Sequence, residues 1–125
     1  MASGGRLWWT AQGMPVLELT TTGRKSGQPH SVMLTSPLQE GAVIVVVASG
    51  GGNRTSPAWF LNLRDNPDVE VRLQGEPRRR MRGRVATPAE RQRLWPLIIA
   101  RHNNYAGYQK VTTREIALAL IEPAG

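Results

Sequence analysis

The sequence predicts a mainly β domain with helices: a small closed or split β-barrel of about six antiparallel strands, with two helical segments over its openings. Three observations carry this. Strand-like segments come in hairpin pairs joined by short glycine turns, residues 42–48 form a continuous apolar run rich in β-branched residues, and the helix starts follow the third and fifth strands. A doubly wound fold would alternate strand and helix throughout, which this chain does not do.

Taken in order, residues 14–20 are apolar and β-branched and read as a strand that starts after Gly13. Residues 30–36 read as its antiparallel partner, because Gly23 and Gly27 in the loop between can take positive φ. Residues 37–41 read as a turn. The run 42–49 fits a strand buried on both faces, since valine and isoleucine favour the pleat over the helix. It ends in Ser49 and the glycines 50–52, which allow close backbone approach to a ligand or simply loosen a loop. Ser56 is placed to cap a helix with Pro57 at its first position, and Pro67 stops it, because a residue before proline resists helical dihedrals.

Residues 69–73 alternate apolar and charged, as a half-buried strand does, and residues 75–77 turn the chain. Residues 78–86 form the expected partner and carry five arginines. They read either as a solvated edge strand that blocks aggregation or as a basic rail for an anionic tail. Thr87, Pro88 and Glu90 make a capping box, opening a helix with Leu94, Trp95, Leu97 and Ile98 inward and a kink or interruption at Pro96. His102, Tyr105 and Tyr108 recur at a spacing that puts them on one side if helical, and residues 116–121 close the chain as a strand. One domain over residues 14–125 is expected, preceded by an arm of residues 1–13.

Bulk properties narrow the chemistry. With no cysteine, disulfides and thiolate chemistry are excluded and a cytoplasmic setting is the simplest expectation; with two histidines, a histidine-rich metal site is disfavoured. The net charge of +7 and the pI near 11.3 point to an anionic partner. No apolar run approaches the ~20 residues of a membrane span, and the N-terminus lacks the apolar core of a secretory signal. Trp8-Trp9 reads either as cover for a core edge or as a peripheral anchor at the inner face of the membrane. Nucleic acid is disfavoured, because no aromatic residue interleaves with the arginines of 78–84.

The stretch Thr20-Thr21-Thr22-Gly23-Arg24-Lys25-Ser26-Gly27 concentrates hydroxyls, two cations and two glycines between strands, which are the groups that hold a phosphate without a metal. It is not a Walker A loop, whose glycines would stand at the positions of Arg24 and Leu19. From these residues alone, an ordinary turn with solvated charges remains the alternative.

Together with Val46-Val47-Ala48-Ser49, with residues 56–67 (Ser56-Pro57-Ala58-Trp59-Phe60 onward), with Leu94-Trp95-Pro96-Leu97 and with Tyr105-Ala106-Gly107-Tyr108-Gln109, this stretch resembles the deazaflavin-dependent nitroreductases and related actinobacterial oxidoreductases. The likeness runs in order from Met14 to Pro123. It implies an FMN-binding split-barrel-like fold holding coenzyme F420, an 8-hydroxy-5-deazaflavin with a phosphodiester and oligoglutamate tail, with FMN as the alternative cofactor. It implies that Arg24, Lys25, Ser26 and Gly27 meet the phosphate end, that Ala48, Ser49, Gly50 and Gly51 lie by the ring, and that Trp59 flanks the cofactor.

The implied activity is hydride transfer to a quinone, a nitroaromatic or an activated alkene, with Ser49 and Tyr105 as donors to the acceptor oxygen and Tyr108 as pocket wall. A non-catalytic F420 carrier is the alternative from another class. His102 stands where some relatives carry an aromatic residue, either as a proton donor or in solvent. An exposed barrel side is compatible with a homodimer.

Overall fold

The computed structural model describes residues 10–11, 14–49, 56–110, 112 and 114–124. Their strands are β1 (Thr10–Ala11), β2 (Met14–Thr22), β3 (Pro29–Thr35), β4 (Leu38–Glu40), β5 (Val43–Val47), β6 (Asp68–Leu73), β7 (Arg79–Val85) and β8 (Leu118–Pro123). The helices are α1 (Ala58–Asp65), α2 (Pro88–Arg101) and α3 (Asn104–Lys110). Every pairing is antiparallel, in the order β1-β2-β6-β7-β8-β5-β4, with β3 on the other side of β2.

Alternation along the strands divides the apolar residues into two cores. Leu17, Leu19, Val46, Val69, Val71, Met81, Ala119 and Ile121 form one buried cluster with Trp59, Phe60 and Leu63 of α1. Residues of strands from β2 round to β5 share one cluster with a single short helix only if the sheet curls about it, so the sheet is a half-barrel with α1 on its concave side. The contact is close at Gly83, where any Cβ would collide with the Leu63 side chain. Val45, Val47, Leu118 and Leu120 point to the convex face and pack with Leu94 and Ile98 of α2 and with Tyr105 of α3. β3 hydrogen-bonds to β2 alone among the described strands, and its far end is tied toward β5 where Ser36 Oγ donates to the Val45 carbonyl at 2.7 Å. That leaves the barrel split along β3.

Several expectations are corrected. Residues 37–41 are not a plain turn: β4 lies there and pairs with β5, and the reversal is at Gly41, with φ 60°. The N-cap of α1 is Pro57 and makes no side-chain bond, so Ser56 does not cap it. The last helical region is two helices, and His102 is the C-cap of α2 rather than a member of the tyrosine helix. Pro96 neither breaks nor interrupts α2, since it and Gln92 are exposed and water can take the carbonyl bond that proline leaves unmade. Leu97 also faces solvent, at 46% exposure.

β7 is an interior strand between β6 and β8, so its arginines do not guard an edge. Nor do they form one rail, because Arg80, Arg82 and Arg84 project opposite to Arg79 and the buried Met81. The capping box at Thr87 and Glu90 is present in both directions, as predicted.

Candidate functional site

The hairpin between β2 and β3 folds tightly because of its two glycines, each for its own reason. Gly27 adopts φ 72°, a left-handed value, and its N–H donates to the Gly23 carbonyl at 2.9 Å. Gly23 does not take a positive φ; it is needed for space, since a Cβ there would lie 2.5 Å from Ser26 Oγ and 2.9 Å from the His30 ring. Ser26 Oγ accepts the Gln28 N–H at 3.1 Å and lies 3.3 Å from His30 Nε2.

Asn62 of α1 supports the hairpin from beneath. Its Oδ1 accepts the Arg24 main-chain N–H at 3.1 Å, and its Nδ2 donates to Thr21 Oγ1 at 3.3 Å. Asn62 is only 6% exposed, so its amide is desolvated and a missing partner is costly, most of all at the buried bond to Thr21. The result is a groove of about 520 Å³ bounded by Arg24, Lys25, Ser26 and His30 on the hairpin side and by Trp59 and Asn62 on α1. No lining residue among those described is acidic. Beyond the groove, the Asp65 carboxyl is held below its ordinary range chiefly by a hydrogen bond from Arg64, with a smaller contribution from Arg24.

The remaining sequence-predicted residues lie in two other places. Ala48 is fully buried in the concave core with Trp59, so its side chain packs and does not face a ligand. Ser49 follows it at the strand end, partly exposed. This end is clasped by Arg114, whose guanidinium donates to the Ala48 carbonyl at 3.1 Å and to the Ser49 carbonyl at 2.7 Å. Gly50 and Gly51 lie outside the described residues, as does the tryptophan pair Trp8-Trp9.

Tyr105 and Tyr108 stand on the convex side, ring to ring at 6.0 Å and edge-on. The Tyr105 hydroxyl lies 3.4 Å from Thr35 Oγ1 at the end of β3 and donates to Met14 Sδ at 3.5 Å. Burial pushes this phenol above its ordinary range, Tyr108 adds to the effect, and the Thr35 hydrogen bond opposes it. It therefore remains a protonated donor across the neutral range.

Thus the structure brings Arg24, Lys25, Ser26 and Trp59 together, and places Ser49 and the tyrosines apart from them. The arginines of residues 78–84 line none of this groove. Sequence reasoning missed three residues that matter to the geometry. Asn62 had a signal, a lone amide within Trp59-Phe60-Leu61-Asn62-Leu63; His30 had a weaker one, four residues from Ser26 across a turn; Arg114 had none.

Comparison with known proteins matches residues 1–123 to the family model described as F420H(2)-dependent quinone reductase. An F420H(2)-dependent quinone reductase of Mycobacterium tuberculosis is 36% identical over 110 residues, covering 86% of this chain and 72% of that protein. Among solved structures, an F420-H2 dependent reductase, FDR-A, superposes with a TM-score of 0.74 at 33% identity over 86% of this chain and 94% of that one. A chain described as a domain-swapped dimer gives 0.75 at 33% identity, over 86% and 80%. The half-barrel is accordingly the split-barrel-like fold of those reductases.

Proposed function

The chain belongs to the F420H(2)-dependent quinone reductase family, and from that premise we propose that its hairpin groove anchors the acidic tail of coenzyme F420. The protein is thus an oxidoreductase, its coenzyme is F420, and a quinone is its acceptor. What carries the proposal for the groove is its donor set: Arg24, Lys25 and the Ser26 hydroxyl converge on a cavity of about 520 Å³ without a carboxylate in its lining. A phosphodiester followed by glutamates fits that chemistry, and neutral ligands gain little from it.

When bound, the deazaflavin supplies the hydride. The chain's own groups hold and polarise. Arg24 and Lys25 bind the tail as fixed charges, and Asn62 keeps the Arg24 backbone in place. Trp59, in the groove wall and edge-on to Phe60 at 6.0 Å, limits how the coenzyme lies. Ser49 at its clasped strand end and Tyr105, kept protonated by burial, are the donors to the quinone oxygen as negative charge develops, and Tyr108 forms the wall beside Tyr105.

The family's quinone chemistry extends here to nitroaromatics and activated alkenes, which also gain negative charge on an oxygen or carbon at the end of the transfer. The relative described as a domain-swapped dimer supports a homodimer. Among the described residues no helix is long and apolar enough to cross a membrane. The peripheral membrane contact we propose rests on Trp8-Trp9 and on the lipid solubility of quinones.

The test is titration of the purified protein with reduced F420 and with FMN, followed by stopped-flow oxidation against a menaquinone analogue and a nitroaromatic. Micromolar or tighter binding of F420 with quinone-dependent oxidation is expected. No F420 binding at micromolar protein refutes the site, and binding without oxidation by either acceptor makes the protein a carrier.

A further inference from the structure

Among the described residues, the concave side of the half-barrel is filled at one end by α1 and open at the other. Leu17 and Leu73 are direct partners across β2 and β6, Met81 and Pro123 across β7 and β8, and all four side chains belong to the concave face. These residues, with Ile44, line a groove of about 520 Å³ that shares no residue with the hairpin groove. Its place in the fold is the opposite end of β2: Pro15 and Leu17 border it, whereas Thr21 borders the hairpin groove.

The walls have little to offer a polar ligand. Ser36 Oγ already donates to the Leu38 and Val45 carbonyls, and Gln39 Nε2 is spent on the Ser36 carbonyl and hydroxyl. The mouth differs. Arg79 and Arg80 line it and are exposed, and neither makes an ion pair or hydrogen bond among the described residues. Glu70 stands opposite Arg80 in the β6–β7 register but does not pair with it. Their neighbours are satisfied: Arg72 and Arg78 share Glu18, and Arg84 holds both Glu90 and Glu122. Among the described residues no carboxylate lines the groove.

We propose that this barrel-mouth groove binds a free long-chain carboxylate, its alkyl chain along Leu17, Ile44, Leu73 and Met81 and its head on the guanidinium of Arg79, which leaves β7 on the Met81 side. The charge complementarity decides the occupant. An arginine takes a carboxylate through two parallel bonds, and an apolar trough with no free donor favours alkyl chain over any polar body.

The probe is a series of saturated carboxylates from octanoate to tetradecanoate, below their micellar concentrations, titrated calorimetrically into the full chain. One site per chain is expected, with Kd tightening about fourfold for each methylene buried until the trough is full, the equivalent of about 0.8 kcal/mol per CH₂. Arg79→Ala weakens dodecanoate at least tenfold while leaving dodecanol unchanged, and Arg80→Ala, on the other face of β7, changes neither. Ala42→Trp, at an exposed lining position, blocks binding without removing core volume. A Kd independent of chain length, or one unmoved by Arg79→Ala, overturns the proposal. So does binding to phosphatidylglycerol vesicles without binding of monomeric dodecanoate, or a stable dimer whose formation dodecanoate does not oppose.

Discussion

Asn62 and Arg24 are joined by a main-chain to side-chain hydrogen bond of 3.1 Å, thirty-eight positions apart in sequence. Through it, helix α1 sets the position of a hairpin that, among the described residues, has no other hydrogen bond to it except that from Asn62 to Thr21. The cation pair is therefore presented by the buried core and not by a free loop. Asn62→Leu keeps the volume and removes both bonds, leaving Thr21 Oγ1 and the Arg24 N–H without that partner. A stability loss of about 1–3 kcal/mol is expected by chemical denaturation, together with a clear weakening of F420. Normal F420 affinity in a destabilised Asn62→Leu protein would separate the amide from coenzyme binding.

The two hairpin glycines separate steric from conformational effects. Gly23→Ala places a methyl 2.5 Å from Ser26 Oγ with an ordinary backbone, so the fold tolerates it while Ser26 and His30 are displaced. Gly27→Ala meets no atom within 4 Å but must hold φ 72°, which costs about 1–2 kcal/mol. The expected pattern is crossed: Gly23→Ala loses F420 affinity with a small change in Tm, and Gly27→Ala loses Tm with the smaller change in affinity. Parallel melting and fluorescence titrations of the two variants check it.

Arg84 draws the Glu90 carboxyl down to about 2, helped by the Thr87 backbone N–H, and also pairs with Glu122. Because the folded value lies below the ordinary 4.5, the stabilisation is complete above that pH and disappears as pH falls toward 2. Both partners are partly exposed, so solvent limits its size to roughly 1 kcal/mol. Arg84→Ala is predicted to be less stable than the parent by that amount at pH 7, and the two denaturation curves are predicted to converge between pH 4.5 and 2. A gap that persists at pH 2 would assign the loss to packing instead.

Arg114 and Tyr105 separate positioning from donation. Arg114→Ala releases the carbonyls of Ala48 and Ser49 and is expected to lower kcat for quinone, with F420 Kd changed less. Arg114→Lys, which can still reach one carbonyl, recovers part of the loss. Tyr105→Phe removes a hydroxyl whose bonds, at 3.4 and 3.5 Å, are long, so stability is expected to hold within about 1 kcal/mol while quinone-dependent oxidation slows at least tenfold. Single-turnover oxidation at saturating quinone distinguishes the two.

Where local chemistry alone decides, sequence and structure agree: the Thr87 capping box, the Gly27 reversal and the alternation of Val69, Glu70 and Val71 depend on near neighbours. The misreadings concern long-range context. Charged alternation in Arg79–Val85 looks the same at a sheet edge and in its interior, and only the β8 pairing tells them apart. Pro96 was expected to disturb α2 because its solvent exposure cannot be read locally. The hairpin was legible as an anion site from its residue types, but its support by Asn62 joins segments that no spacing rule connects. Tyr105 and Tyr108 were legible as a pair; that they pack on the opposite face of the sheet from Trp59 follows from strand parity in β5.

The most direct measurement is a cycle of four dissociation constants: reduced F420 and the same deazaflavin lacking its phosphate-linked tail, each against the parent protein and Arg24→Ala with Lys25→Ala. With the tail anchored at the hairpin, removing it weakens the parent by at least a hundredfold but the double variant by less than tenfold, and kcat at saturating coenzyme changes little. If tail removal costs both proteins the same factor, the tail does not touch Arg24 and Lys25, and the hairpin groove is not its anchor.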